Sequence, residues 1–139
     1  MANPQSLKNG LAARMKSIAA LKYVYTEWPD QIIPPCAIIT RGEAVPEQTF
    51  GRGDLTQWMF DIYLFVTGAA GGQKGQIAAQ PFAATSSTGG VFGAIAADRT
   101  LGGVCDTAFV KAMREDTDWQ VAENVDFYGF VAAVEVWTT

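Results

Sequence analysis

Asp61, Asp98, Asp106 and Asp126 fall near the predicted ends of strands or helices, where a pair of carboxylates could share acid–base work. Solvated element ends explain the same placement without chemistry, since aspartate is seldom fully buried unless paired. The chain contains no histidine. That removes the commonest general base and transition-metal ligand, and with it every Ser-His-Asp or Cys-His arrangement. Cys36 and Cys105 are too few to close a zinc site within one chain, and too far apart in sequence to make a disulfide framework. They read as two reduced thiols packed as small apolar groups, as in a protein made in a reducing cytoplasm. No catalytic residue, metal site or cofactor is expected.

Three short motifs invite chemistry and lack its requirements. Gly68-Ala69-Ala70-Gly71-Gly72-Gln73-Lys74-Gly75 lies between a strand and a helix, where a phosphate loop would lie. That loop needs Gly before the lysine and Ser or Thr after it, and here Gln73 and Gly75 hold those places. Arg52-Gly53-Asp54 spells an adhesion tripeptide but reads as a turn leading into a strand. Glu115, Asp116, Asp118 and Glu123 cluster without calcium-loop spacing and read as a solvated connection between the last two strands. The tryptophans Trp58, Trp119 and Trp137 would need basic neighbours to serve as a stacking platform for single strands, and they lack them.

Composition narrows the function classes further. Net charge is −4, and the imbalance is local. Residues 1 to 70 carry six basic and six acidic side chains, against four and eight in residues 71 to 139. Without a basic stretch, sequence-type nucleic-acid binding is not expected. Charged residues are 17% of the chain, below the typical quarter, while 49% are hydrophobic. A surface so poor in charge suits burial against partners. No apolar run reaches the ~18 residues of a membrane span, and Met1 to Gln5 show no secretory pattern.

The elements follow from spacing. Asn3-Pro4 reads as N-cap and first helical residue, and Leu7, Leu11, Met15, Ile18 and Leu21 form one stripe ending near Lys22. Arg14 falls inside that stripe, its stem lying along apolar surface with its head in water. Pro34-Pro35 leads into a strand at Cys36-Ala37-Ile38-Ile39-Thr40, and residues 41 to 54 read as a long loop. From Gln57 to Thr67 the alternation is clear, with Trp58, Phe60, Ile62, Leu64 and Val66 on one face and Gln57, Met59, Asp61, Tyr63, Phe65 and Thr67 on the other. Two helices are expected next, one around Gln76 to Ala79 and one capped by Ser86 to Thr88 and stopped by Gly102-Gly103. Its apolar side would carry Val91, Phe92, Ile95 and Ala96. Strands at Val104 to Met113 and Phe127 to Trp137 close the chain; the latter is apolar on both faces, as a central strand or one covered by a neighbouring subunit would be. The expectation is one α+β domain over residues 1–139: a mainly antiparallel sheet with helices packed on one face, an N-terminal helix and two helices between strands.

This order of elements resembles the tail-terminator (tail completion) proteins of long-tailed bacteriophages. The similarity runs from about Leu7 to Trp137. It is carried by the Pro-Pro-Cys-Ala-Ile-Ile strand, by Trp58-Met59-Phe60-Asp61-Ile62-Tyr63-Leu64-Phe65-Val66, by Asp98-Arg99-Thr100-Leu101-Gly102-Gly103-Val104, and by the closing Tyr128 to Val136 strand. The resemblance implies a non-enzymatic virion protein, made in the host bacterial cytoplasm. It would assemble with itself as a ring, commonly a homohexamer, at the head-proximal end of the tail. The ring would halt growth of the tail-tube protein and meet the head-completion protein, with DNA passing through its lumen unread. Expected subunit or tube contacts lie at Val45, Glu47, Phe50, Arg52 and Asp54, and Glu115, Asp116, Asp118 and Glu123 would face the lumen. Alternatives are another connector part, such as a head-completion or neck protein, a tail-tube subunit, or a small ligand-binding domain.

Overall fold

The computed structural model describes residues 4–18, 21–45, 56–68, 82, 90–122 and 125–138, with backbone alone at 4, 41–45, 67–68, 114–122 and 125–127. Its elements are α1 (Pro4–Lys16), β1 (Tyr23–Tyr25), β2 (Cys36–Val45), β3 (Thr56–Gly68), α2 (Val91–Ala96), β4 (Thr107–Ala122) and β5 (Val125–Thr138). The class is α+β, built mainly of sheet.

The five strands form one sheet in the order β1-β2-β3-β5-β4. β2–β3, β3–β5 and β5–β4 are antiparallel, but β1 runs parallel to β2, so the sheet is mixed rather than wholly antiparallel. The parallel edge comes from Tyr23-Val24-Tyr25, three residues too short to show a period in the sequence. Lys22 N–H donates to the Pro35 carbonyl at 2.8 Å and opens that pairing, just after the cis Pro34-Pro35 bond.

The alternation of β3 is realised in the sheet, with Trp58 packed against the core. Phe60, Ile62, Leu64 and Val66 join Ala37 and Ile39 of β2, Ala108 of β4, and Tyr128, Phe130, Ala132, Val134 and Val136 of β5 in one core. Leu7, Leu11, Met15 and Ile18 enter that core with Val91, Ala94 and Ile95 of α2. Fully burying each large side chain is worth ~1.5–3 kcal/mol, so this layer is the main stabilising contact of the domain. Phe82 also reaches it, 5% exposed.

Several boundaries differ from the sequence expectation. α1 ends at Lys16 rather than near Lys22; the Ser17 and Ile18 N–H groups take the Arg14 and Met15 carbonyls, and the Leu21 N–H takes the Ile18 carbonyl in a further tight turn. β2 continues through Arg41 to Val45, across a bulge between Arg41 and Glu43, because β3 extends far enough to pair with it. The predicted 41–54 loop is therefore strand over its first five residues. β4 runs to Ala122, so the supposed loop carrying Glu115, Asp116 and Asp118 is strand as well. The helix around Gln76 to Ala79 and the Ser86–Thr88 cap lie outside the described residues. Gly90 is the N-cap of α2, and the helix buries Val91, Ala94 and Ile95 while Ala96 is exposed. Two helices are present among the described residues, so the three-helix arrangement is not seen there.

Gly102-Gly103 is not the helix stop. α2 is capped at Ala97, and Asp98 to Val104 form a separate turn. Leu101, Gly102 and Gly103 all adopt positive φ, at 53°, 76° and 93°. Leucine in that region is costly, ~1–2 kcal/mol, and the Leu101 side chain is 2% exposed within the core. Burial offsets the strain. Asp98 holds the turn: Oδ1 accepts from Thr100 Oγ1 at 2.7 Å and Thr100 N–H at 3.2 Å, and Oδ2 from Gly102 N–H at 3.0 Å. The Thr100 hydroxyl first, then the Gly102 N–H, keep the Asp98 carboxyl below its ordinary range. Arg14 ties α1 to α2, its Nε donating to the Ala94 carbonyl at 2.9 Å near the helix end. That satisfies an end carbonyl of α2 and explains a charge inside the apolar stripe.

Candidate interaction surface

The core accounts for one face of the sheet. On the other face lie Cys36 and Ile38 of β2, Tyr63 and Phe65 of β3, and Val131, Ala133, Glu135 and Trp137 of β5. Cys36, Ile38 and Phe65 form a second, smaller core with Tyr25, Ile32 and Tyr63 packed against it. Trp28 leans over this group, its ring centroid 5.4 Å from Tyr63 and 6.3 Å from Phe65. It is 51% exposed; with Tyr23 at 46% and Ile33 at 36% it completes the set of exposed large hydrophobics among the described residues. All three lie between residues 23 and 33, Tyr23 in the edge strand β1 and Trp28 over the β3 rings. Tyr23 and Tyr25 stack at 6.0 Å, so the edge carries a ridge of rings.

Further along the same face Glu135 is only 7% exposed. Its Oε1 accepts from Trp137 Nε1 at 2.8 Å, and Lys111 Nζ stands 3.9 Å from Oε2. The carboxylate is therefore satisfied by β5 and β4 neighbours, a structural arrangement. Trp58 is similarly placed by packing, with Nε1 donating to Thr138 Oγ1 at 3.3 Å.

Asp61, Asp98 and Asp106 are not gathered into a site, and Asp126 is a backbone position of β5 opposite Gln120. Asp98 is consumed by its own turn, and Asp61 lies within β3, opposite Thr40 and Ala133. Asp106 follows Cys105, and its N–H donates to the Trp137 carbonyl at 2.9 Å. Among the described residues no three Cys, Asp or Glu side chains are grouped to hold a metal ion. Cys36 and Cys105 are free and buried, as expected. Burial pushes each thiol up to about 11, helped at Cys105 by Asp106 and Asp98.

Of the expected contact residues, Val45 is the last residue of β2, paired with Gln57. Glu47, Phe50, Arg52 and Asp54 lie outside the described residues. So do Glu123 and residues 69 to 75 of the glycine-rich segment. Glu115, Asp116 and Asp118 are backbone positions of β4, with Asp118 opposite Tyr128 and a register irregularity between Arg114 and Thr117. That corrects their assignment to a connecting loop: they line the outermost strand of the sheet. The exposed rings of Tyr23 and Trp28 escaped the sequence reading, because a three-residue strand is too short to show a period.

No protein-family model matches the sequence, and no curated protein matches it. No helix among the described residues is long and apolar enough to cross a membrane.

Proposed function

We propose that the protein is a structural tail terminator of a long-tailed bacteriophage, acting without catalysis as a ring at the head-proximal end of the tail tube. The resemblance of the Pro34 to Ile39, Trp58 to Val66, Asp98 to Val104 and Tyr128 to Val136 segments to that family supports the reading. The observation that supports it furthest is the set of exposed large side chains Tyr23, Trp28 and Ile33, close together in sequence within the stretch that includes the edge strand β1. Large rings held half in solvent suit burial against protein. A ring needs a contact that is heterologous and closes, because an open one would give a filament. In this role the ring stops the tail-tube protein from adding further subunits and presents its far face to the head-completion protein. DNA passes the lumen by steric fit, without sequence recognition.

The direct test is a tube-growth assay. Tail-tube protein of the same phage is polymerised with and without the purified chain, and ends are imaged by electron microscopy. Short tubes capped at one end support the proposal. Tubes that incorporate the chain along their length would make it a tube subunit, and tubes that ignore it would dismiss the terminator role.

A further inference from the structure

The segment that joins β1 to β2 is fixed at its ends and little held between them. Tyr25 is level with Ile38 in the ladder, and the Pro35 carbonyl accepts from Lys22 N–H at 2.8 Å. From Glu27 to Pro34 no backbone–backbone hydrogen bond is made among the described residues. Glu27, Trp28, Asp30, Gln31 and Ile33 are exposed. Side chains hold the segment instead. On the α1 side, Lys8 Nζ donates to the Thr26 carbonyl at 3.1 Å and to Glu27 Oε1 at 3.3 Å. Glu27 is 74% exposed, so its share of that grip is small. On the opposite face of the sheet, Trp28 lies against the rings of Tyr63 and Phe65.

Beneath the segment is the smaller core of Cys36, Ile38 and Phe65, all three buried. Of the side chains packed against it, Tyr25 and Tyr63 belong to the sheet, whereas Ile32 belongs to the segment. The floor keeps its shape without that cover. Cys36 pairs with Phe65 and Ile38 with Tyr63 in the β2–β3 ladder, in which the segment takes no part. A stretch with an unbonded backbone and half-exposed anchors belongs to the low-stability end of a fold, where opening precedes global unfolding.

We infer that residues 26–35 form a strap that lifts off the sheet as a unit while the strands stay paired, with Lys8 and Trp28 as its latches. Lifting bares Ile38, Phe65 and the Cys36 thiol; closing covers them again. The motion belongs to the single chain and does not depend on the ring.

Cys36 serves as the reporter. The purified chain is treated with a maleimide over hours, at urea concentrations below the unfolding transition, and labelling at Cys36 is read by mass spectrometry. Cover keeps reagent from the thiol over minutes, so slow labelling reports opening. The expected Cys36 rate is nearly flat across this range, because lifting a strap exposes little surface, whereas global unfolding exposes much and depends steeply on urea. A Cys36 rate that climbs with the slope of the global transition followed by circular dichroism would overturn the inference. So would a thiol that stays unlabelled until that transition. Two variants test the latches. Trp28→Ala should raise the flat rate roughly tenfold, the factor lost with one aromatic contact, and Lys8→Met should raise it as well. Flat rates equal to the wild type in both folded variants would contradict the strap. The urea series on the wild type decides the case even where a variant fails to fold.

Discussion

Replacing Gly129 by alanine adds one methyl group at the centre of the sheet, and the structure leaves no space for it. A Cβ built there lies 1.8 Å from the Leu64 carbonyl oxygen, 2.8 Å from its carbon and 3.0 Å from Phe65 Cα. These are backbone atoms of β3, so no rotamer change relieves the contact. Gly129 sits where both neighbouring ladders are irregular, between Phe65 and Thr67 on one side and Arg114 and Thr117 on the other. Glycine in a strand interior marks such a close backbone approach. Relief requires β5 to move away from β3, opening the ladder around residues buried on both faces. Overpacking typically costs ~1–3 kcal/mol, and a backbone collision belongs at or above the upper end. For a domain of this length, ~3 kcal/mol lowers Tm by about 10 °C. Circular-dichroism melts of Gly129→Ala and the wild type measure the difference. A shift below about 2 °C would refute the close approach, and with it the register across Phe65, Gly129 and Thr117.

Other perturbations test other contacts. Gly10→Ala should gain ~1 kcal/mol of helix propensity and still lower Tm, because the new Cβ meets Val104 Cγ2 at 2.8 Å and the Leu101 carbonyl oxygen at 3.0 Å. A higher Tm would mean α1 does not press on the turn. Arg14→Met should cost ~1–2 kcal/mol in urea unfolding by leaving the Ala94 carbonyl without its donor, whereas an unchanged midpoint would dismiss that bond. Because the Asp98 carboxyl is held below its ordinary pKa, its contribution is full above the unfolded value and lost as pH falls through the folded one. The stability gap between wild type and Asp98→Asn should therefore shrink on acidification below about pH 4; a gap that widens there contradicts the turn geometry. Both thiols should resist a maleimide at neutral pH and react once the chain is unfolded, since burial holds them protonated to about 11.

Legibility in the sequence followed the length of each pattern. β3 carries an eleven-residue alternation from Gln57 to Thr67, long enough to give both its position and its core face. β5 was visible as a long apolar run, whose two apolar faces left open a strand between layers or one covered by a neighbouring subunit; the sheet places it between β3 and β4. β1 pairs over three residues in parallel sense, and neither feature leaves a periodic trace. Arg41 to Val45 and Glu115 to Ala122 read as loop because Gly42 and the charges break the apolar pattern. Ladder bonds from β3 and β5 hold them as strand regardless, with bulges absorbing the misfit. The Leu101 to Gly103 turn shows the converse: Gly-Gly read as the helix stop, but the helix is capped at Ala97, and the positive-φ turn further on depends on Asp98 and on a buried leucine. The acidic residues were identified by composition, while their place on the outermost strand came only from register.

The ring is the central claim, and mass in solution addresses it most directly. Light scattering of the purified chain over a wide concentration range, with negative-stain images of the same samples, should give closed rings of one uniform size. A mass that grows without limit into long tubes, or a monomer at every concentration that leaves tube ends uncapped, would contradict it.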